Sequence, residues 1–324
     1  MQIQLWQVIM LGVLQGVAEL FPISSLAQTI LIPALLGWNI SGDKNSPEHA
    51  DYLAFVVALH LATAVALVLY FWKDWLKVLM GFLGFFRHGR LVYDKESKFA
   101  WLLVVGTIFV GAAGLALEKK LSLLFDDQSR AWIVGLILVV NGFIMIFGDF
   151  MKRKSVQHTP GELEHAPDLA MHAALVGGTV SSNVTALDYE ARRYTKEAED
   201  LSFVRAFFIG AAQSLALLPG ISRSGVTMVA GLWSGLTYEE ASRFTFMLAT
   251  PVIALAALKK VPQLLHPANH AVLQQALWGS GAAFIAAFLS IAFLMRYFHS
   301  NRLSPFGYFC IVFGLGAAAM LKLH

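Results

Sequence analysis

Two short apolar runs in this chain are broken in the same way, and the breaks limit what it can fold into. "GVLQGVAELFPISSLA" begins at Gly12 and "GAAQSLALLPGISRSG" at Gly210. At a constant offset of 198, Gly12 matches Gly210, Gln15 matches Gln213, Ala18 matches Ala216, Leu20 matches Leu218, Ile23 matches Ile221 and Ser24 matches Ser222. The apolar pieces around the breaks, residues 3–20 with 29–38 and 206–218 with 226–236, are too short or too polar to be ordinary spans. A ten-residue helix is about 15 Å long, half of a ~30 Å hydrocarbon core. Broken backbone at membrane depth is tolerated only where it is buried in protein or lines a wet cavity. The reading is two re-entrant helix–break–helix hairpins, each dipping to mid-membrane.

The remainder of the chain supports a membrane setting. It is 57% hydrophobic and 14% charged, with a mean hydropathy of +0.63. That places it among integral membrane proteins. Six stretches are read as spans: 52–72, 100–117, 132–149, 244–258, 272–297 and 305–321. Each hairpin is followed by three spans. Three is odd, so the second copy enters from the opposite face. The expected fold is an all-α integral membrane protein with six transmembrane helices and two re-entrant hairpins in an inverted-topology repeat. Its expected domains are a first membrane repeat (1–151), a polar cytoplasmic insertion (152–204) and a second repeat (205–324). Paired interrupted segments of this kind point to a binding site between the repeats.

Sixteen Lys and Arg, including Lys73, Arg87, Arg153 and Arg302, fall on the side of loops 73–99, 150–205 and 296–303; seven fall on the other. The positive-inside rule puts the first side in the cytoplasm, although the bias falls to nine against seven without the long 150–205 loop. A sequon, "NVT" at 183–185, then lies in a cytoplasmic loop and carries no meaning. "MQIQLWQ" has no basic n-region, so no cleavable signal peptide is expected. A single cysteine, Cys310, excludes an intramolecular disulfide framework and a thiolate metal cluster.

Certain polar groups inside these segments point to chemistry. Gln15 and Glu19 are four apart and share a helix face. Intramembrane carboxylates are costly and usually functional. Glu19 suits a general base or a ligand to a divalent cation; the alternative is a buried polar pair that helps helices pack. In "PGISRSG", Ser222 or Ser224 caps a helix beginning near Val226, whose free N–H groups favour an anion. Arg223 adds a forked donor suited to phosphate, and Gly220 and Gly225 flank it. The alternative is an ordinary serine cap with Arg223 neutralised by Glu19. In "FPISS", Ser24 or Ser25 caps the helix at Leu26. If the repeat holds, these hydroxyls face Arg223, where one binds phosphate oxygens or, with Glu19 as base, acts as nucleophile. His60, alone in "VVALHLATAV", is either a packed hydrogen-bonding group or a member of the site. The pieces converge on a phosphate group held mid-membrane, which suits a lipid whose tail stays in the bilayer.

"QGVAELFPISS" together with "AQSLALLPGISRSGVT" resembles the undecaprenyl-diphosphate phosphatase family, also known as bacitracin-resistance proteins. The similarity extends to "VGLILVVNGFIMIFGD", "GLTYEEASRFTFMLATPV" and "RLSPFGYF", and misses only the 150–200 insertion. The resemblance implies a multi-pass enzyme of the bacterial inner membrane. It would remove the terminal phosphate of undecaprenyl diphosphate, aided by a divalent cation, Mg²⁺ or Ca²⁺, for which Glu19 is the candidate ligand. The family's paired motif falls on Gln15 and Glu19, and Arg223 would hold the diphosphate. The expected partners are the polyprenyl diphosphate and the bilayer; a homodimer is compatible, and no nucleic acid is implied. One departure stands out. The family continues Ser-Ser-x-Gly-His, whereas this chain reads "SSLAQ" and places Gln28 where the histidine falls. Glutamine hydrogen-bonds phosphate but cannot exchange protons. Two hypotheses follow: a lipid diphosphate phosphatase, with Gln28 orienting substrate and Ser25 assisting or attacking, or a polyprenyl-phosphate translocase or binding protein that uses the same pocket without cleavage.

Overall fold

The computed structural model describes residues 3–38, 47–125, 130–157, 197–264 and 270–323. All regular elements among them are helical. In chain order they are α1 (Leu5–Ala18), α2 (Ser25–Leu35), α3 (Pro47–Tyr70), α4 (Trp72–His88), α5 (Lys95–Phe125) and α6 (Ala131–Gln157). A 3₁₀ turn, Ala198–Asp200, precedes α7 (Phe203–Gln213), and a second, Ser214–Leu217, follows it. Then come α8 (Arg223–Trp233), α9 (Tyr238–Leu264), α10 (His270–Phe298) and α11 (Ser304–Leu323).

Five stretches are long and apolar enough to cross a membrane: Asp51–Tyr70, Lys95–Gly114, Ala131–Arg153, Val272–Phe298 and Ser304–Leu323. They match five of the six expected spans. The sixth, residues 244–258, lies inside α9, a helix of 27 residues. Both expected breaks are present. Each separates two short helices, α1 from α2 and α7 from α8.

Residues 73–99, read as a cytoplasmic loop, contain a helix. α4 exposes Trp72, Leu76, Leu79, Met80, Leu83 and Phe86 while burying Val78 against the neighbouring α5. Its apolar residues are spread over an amphipathic length rather than a span, which is why a span search passes over it. α6 continues past residue 151 to Gln157. Most of the polar insertion, including the "NVT" sequon, lies outside the described residues.

The helices pack in corresponding pairs. α1 lies on α10, and α7 lies on α5. The repeat partners Gly12 and Gly210 sit at these two contacts. A Cβ on Gly12 would come within 2.3 Å of the Gly279 carbonyl oxygen, and one on Gly210 within 2.0 Å of the Gly106 carbonyl oxygen. Only glycine lets the backbones approach so closely, a common device between membrane helices. α6 packs on α11, and α3 on α9. Near one end of the bundle, Arg243 Nη2 donates to Asp74 Oδ1 (2.6 Å) and Glu199 Oε1 (3.0 Å), tying α4 and the first 3₁₀ turn to α9. Asp149 accepts the N–H groups of Leu303 (3.2 Å) and Ser304 (2.6 Å), which caps α11 from α6.

Candidate active site

The first break forms where α1 runs out of donors. After Ala18 the chain tightens, with the N–H groups of Leu20 and Phe21 both donating to Val17 O, and Pro22 prevents continuation. Ser24 then adopts a left-handed conformation (φ 63°), and its Oγ accepts from Ala27 N at 3.4 Å, capping α2. The second break differs in detail. α7 tightens into the 3₁₀ turn, and the left-handed residue is Gly220 (φ 111°), where a Cβ would lie 2.7 Å from Ile137 Cβ. Ser222 caps α8 by accepting from Gly225 N at 3.2 Å. Of the cap residues considered above, Ser24 and Ser222 serve; Ser25 and Ser224 do not.

Asn141 on α6 joins the two breaks. Its Oδ1 accepts from Ser222 N (2.9 Å) and its Nδ2 donates to Pro22 O (3.2 Å). Ser224 Oγ donates across the same junction to Phe21 O (3.3 Å). Cys310 Sγ lies 3.5 Å from the Asn141 amide nitrogen. The signal for Asn141 was available in the sequence: it is a lone amide within the apolar "LILVVNGFIMIF".

Glu19 is the hub. Its Oε1 accepts from Arg223 Nη2, so the carboxylate of the first hairpin and the guanidinium of the second are in direct contact. Its Oε2 accepts from Gln15 Nε2 (3.0 Å) and Ser25 Oγ (2.6 Å) and faces His60 Nε2 (3.3 Å). His60 Nδ1 lies 2.8 Å from Val56 O, an acceptor only, so this nitrogen carries a proton.

These groups open onto a cavity of about 180 Å³. Its wall includes Glu19, Ser24, Ser25, His60, Ser222 and Arg223, six of the residues expected at the site, together with Gln213, which was not. The other expected residues stand behind the wall. Gln15 holds Glu19. Gly220, Ser224 and Gly225 shape the second break. Gln28, expected to orient substrate, is buried and turned back, with its Nε2 donating to Ile23 O at 3.1 Å inside its own hairpin. It therefore completes the first break and does not line the cavity. The sequence could not foresee this, because the acceptor is a main-chain carbonyl freed by the break.

A cation would find a single carboxylate here, that of Glu19. Mg²⁺ is commonly held by one or two carboxylates together with substrate phosphate oxygens and waters, whereas Ca²⁺ takes six to eight oxygen ligands. Here one carboxylate is present, and both of its oxygens already accept from protein groups, one of them a cation. No group of three or more His, Cys, Asp or Glu able to hold a metal is found among the described residues.

Fold and site together define a multi-helix protein of membrane-span composition, with a cavity lined by Glu19 and Arg223 between two capped helix breaks. The chain belongs to the family described as bacitracin resistance protein BacA, whose model matches residues 8–316. It is similar to an undecaprenyl-diphosphatase of Mycolicibacterium paratuberculosis, 41% identical over 98% of this chain and 97% of that one. It is also similar to undecaprenyl-diphosphatase 2 of Frankia alni (41% identical, 94% of each chain) and undecaprenyl-diphosphatase 2 of Burkholderia thailandensis (40% identical, 99% and 98%).

Proposed function

We propose that this chain hydrolyses undecaprenyl diphosphate to undecaprenyl phosphate and inorganic phosphate, returning the lipid carrier to cell-wall synthesis. Family membership and the names of its relatives support the reaction. The contact between Glu19 and Arg223 inside one cavity carries the mechanism.

One Arg223 nitrogen is bound to Glu19, and among the described residues its other N–H donors have no side-chain or main-chain acceptor, which suits them to phosphoryl oxygens. The N-termini of α2 and α8 add positive potential at the same cavity. Ser25 Oγ already directs its proton at Glu19 Oε2, which is the arrangement of a nucleophile and its base. In the forward step Ser25 Oγ bonds to the terminal phosphorus and gives its proton to Glu19. The bridging P–O bond breaks, and lipid monophosphate leaves with that electron pair. Water then displaces Ser25 and releases phosphate. His60, whose Nε2 lies beside Glu19 Oε2, is the group that would hand a proton to the leaving oxygen. His60 brings an imidazole from α3 to Glu19, which supports hydrolysis over a non-hydrolytic translocase. A Mg²⁺ or Ca²⁺ requirement would fall on the oxygens of the diphosphate, with Glu19 as a single protein ligand.

The mirrored packing of α1 on α10 and α7 on α5 supports six spans and two re-entrant hairpins in an inverted repeat, with the breaks at mid-membrane. The apolar helices and the family support a place in the bacterial inner membrane. The test is phosphate release from undecaprenyl diphosphate by purified protein. Wild type turns over, Arg223→Ala does not, and Gln28→His is not required. Turnover seen only after Gln28→His would refute native hydrolysis.

A further inference from the structure

Gln213 repeats Gln15, but its surroundings differ. Gln15 donates to Glu19, four residues on; four residues after Gln213 stands Leu217, whose side chain accepts nothing. Gln213 is 1% exposed. Among the described residues, neither its Oε1 nor its Nε2 has a hydrogen-bond partner. Yet Gln213 is one of the residues lining the cavity that holds Glu19, Ser25 and Arg223. A buried amide with both ends unpaired is unfavourable, and leucine or methionine would pack in that space without the penalty.

A bound molecule removes the cost, and the rest of the cavity specifies its chemistry. Arg223 is a fixed cation, and two helix N-termini face the same space. We propose that Gln213 is a substrate-binding residue whose Nε2 donates to an oxygen of the diphosphate held at Arg223. An uncharged donor is suited to this wall. It binds an anion without a second fixed cation competing for Glu19, and without a second carboxylate repelling the substrate. The two repeats then present their paired glutamines differently: Gln15 orients the carboxylate, and Gln213 meets the substrate. This assignment rests on the diphosphate reading above.

The experiment uses the full-length protein in detergent. Phosphate release from undecaprenyl diphosphate gives KM and kcat, and the thermal unfolding midpoint is recorded with and without inorganic pyrophosphate. In Gln213→Leu, KM rises about tenfold or more while kcat stays within about threefold, the mark of lost substrate binding. The pyrophosphate-induced rise in midpoint is reduced, and the ligand-free midpoint is unchanged or higher, because an unpaired amide has been removed. Gln213→Met supplies the same test if the leucine variant does not purify. Wild-type KM in either variant overturns the assignment, and so does a lowered ligand-free midpoint with KM unchanged, which makes the amide structural. The two readings fail separately. A wild type that releases no phosphate but shows Gln213-dependent stabilisation by pyrophosphate sinks hydrolysis and keeps the binding role. Normal turnover in Gln213→Leu does the reverse.

Discussion

At the first residue of its second helix, one hairpin carries Ser25 and the other, 198 positions later, carries Arg223. Each follows a capping serine, Ser24 or Ser222. Each hairpin enters through a glycine pressed against a neighbouring helix, Gly12 or Gly210. The second divergence is at Glu19 against Leu217. The shared glycines and capping serines build backbone; of the positions that differ, these two build chemistry. One hairpin contributes a carboxylate and a hydroxyl, the other a guanidinium, and their contact makes a site that neither hairpin forms alone. The backbones have diverged as well. The left-handed residue is Ser24 in the first break, where a side chain is strained, and Gly220 in the second, where it is not.

This comparison can be broken at several points. Arg223→Ala should be the most damaging, lowering kcat/KM by about 10³-fold or more, since it removes the cation that receives the developing charge and leaves Glu19 buried without it. Phosphate release measures the loss, and retention of a tenth of wild-type activity would remove Arg223 from the chemistry. His60→Gln should cost about 10²-fold in kcat. Gln28→His in the native background should change kcat by less than about threefold, because residue 28 faces Ile23 O and not the cavity. A large gain from Gln28→His would place the missing imidazole in the first hairpin after all. Gly12→Val and Gly210→Val should each destabilise the protein by about 3 kcal/mol or more, since backbone lies where the side chain would go. Thermal unfolding reads both, and tolerance of one alone would mean that the two contacts are not equivalent. The smallest difference lies in the caps. Ser222→Gly and Ser24→Gly each lose a few tenths of a kcal/mol of capping, but relief of the left-handed strain at Ser24 should make the second change neutral or stabilising, by about 0.5 kcal/mol. Equal losses would show that the two breaks have the same backbone energetics.

Much of the site was legible because a membrane segment is a quiet background. Glu19, Arg223 and the serines stand out in apolar runs, and the 198-residue offset says that they belong together. His60 was half legible. A single polar residue in a long apolar helix signals cost but not direction, and only the packing of α3 turns it toward Glu19. Gln28 was misplaced because its acceptor is a main-chain carbonyl released by the break, which no side-chain pattern records. Gln213 was visible as a repeat match, yet its lack of partners is a property of the packed cavity. The same limit applies to the fold. α4 was missed because its apolar residues wrap an amphipathic helix too mixed for a span and too long for a turn.

In the proposed reaction Glu19 and Arg223 act on one phosphate as a unit. A double-mutant cycle on kcat/KM with Glu19→Gln, Arg223→Ala and the double variant tests it most directly. The account predicts strong non-additivity, with the double variant about as impaired as the worse single one. Losses that multiply, or a double variant far worse than either single change, would show two independent sites and contradict it.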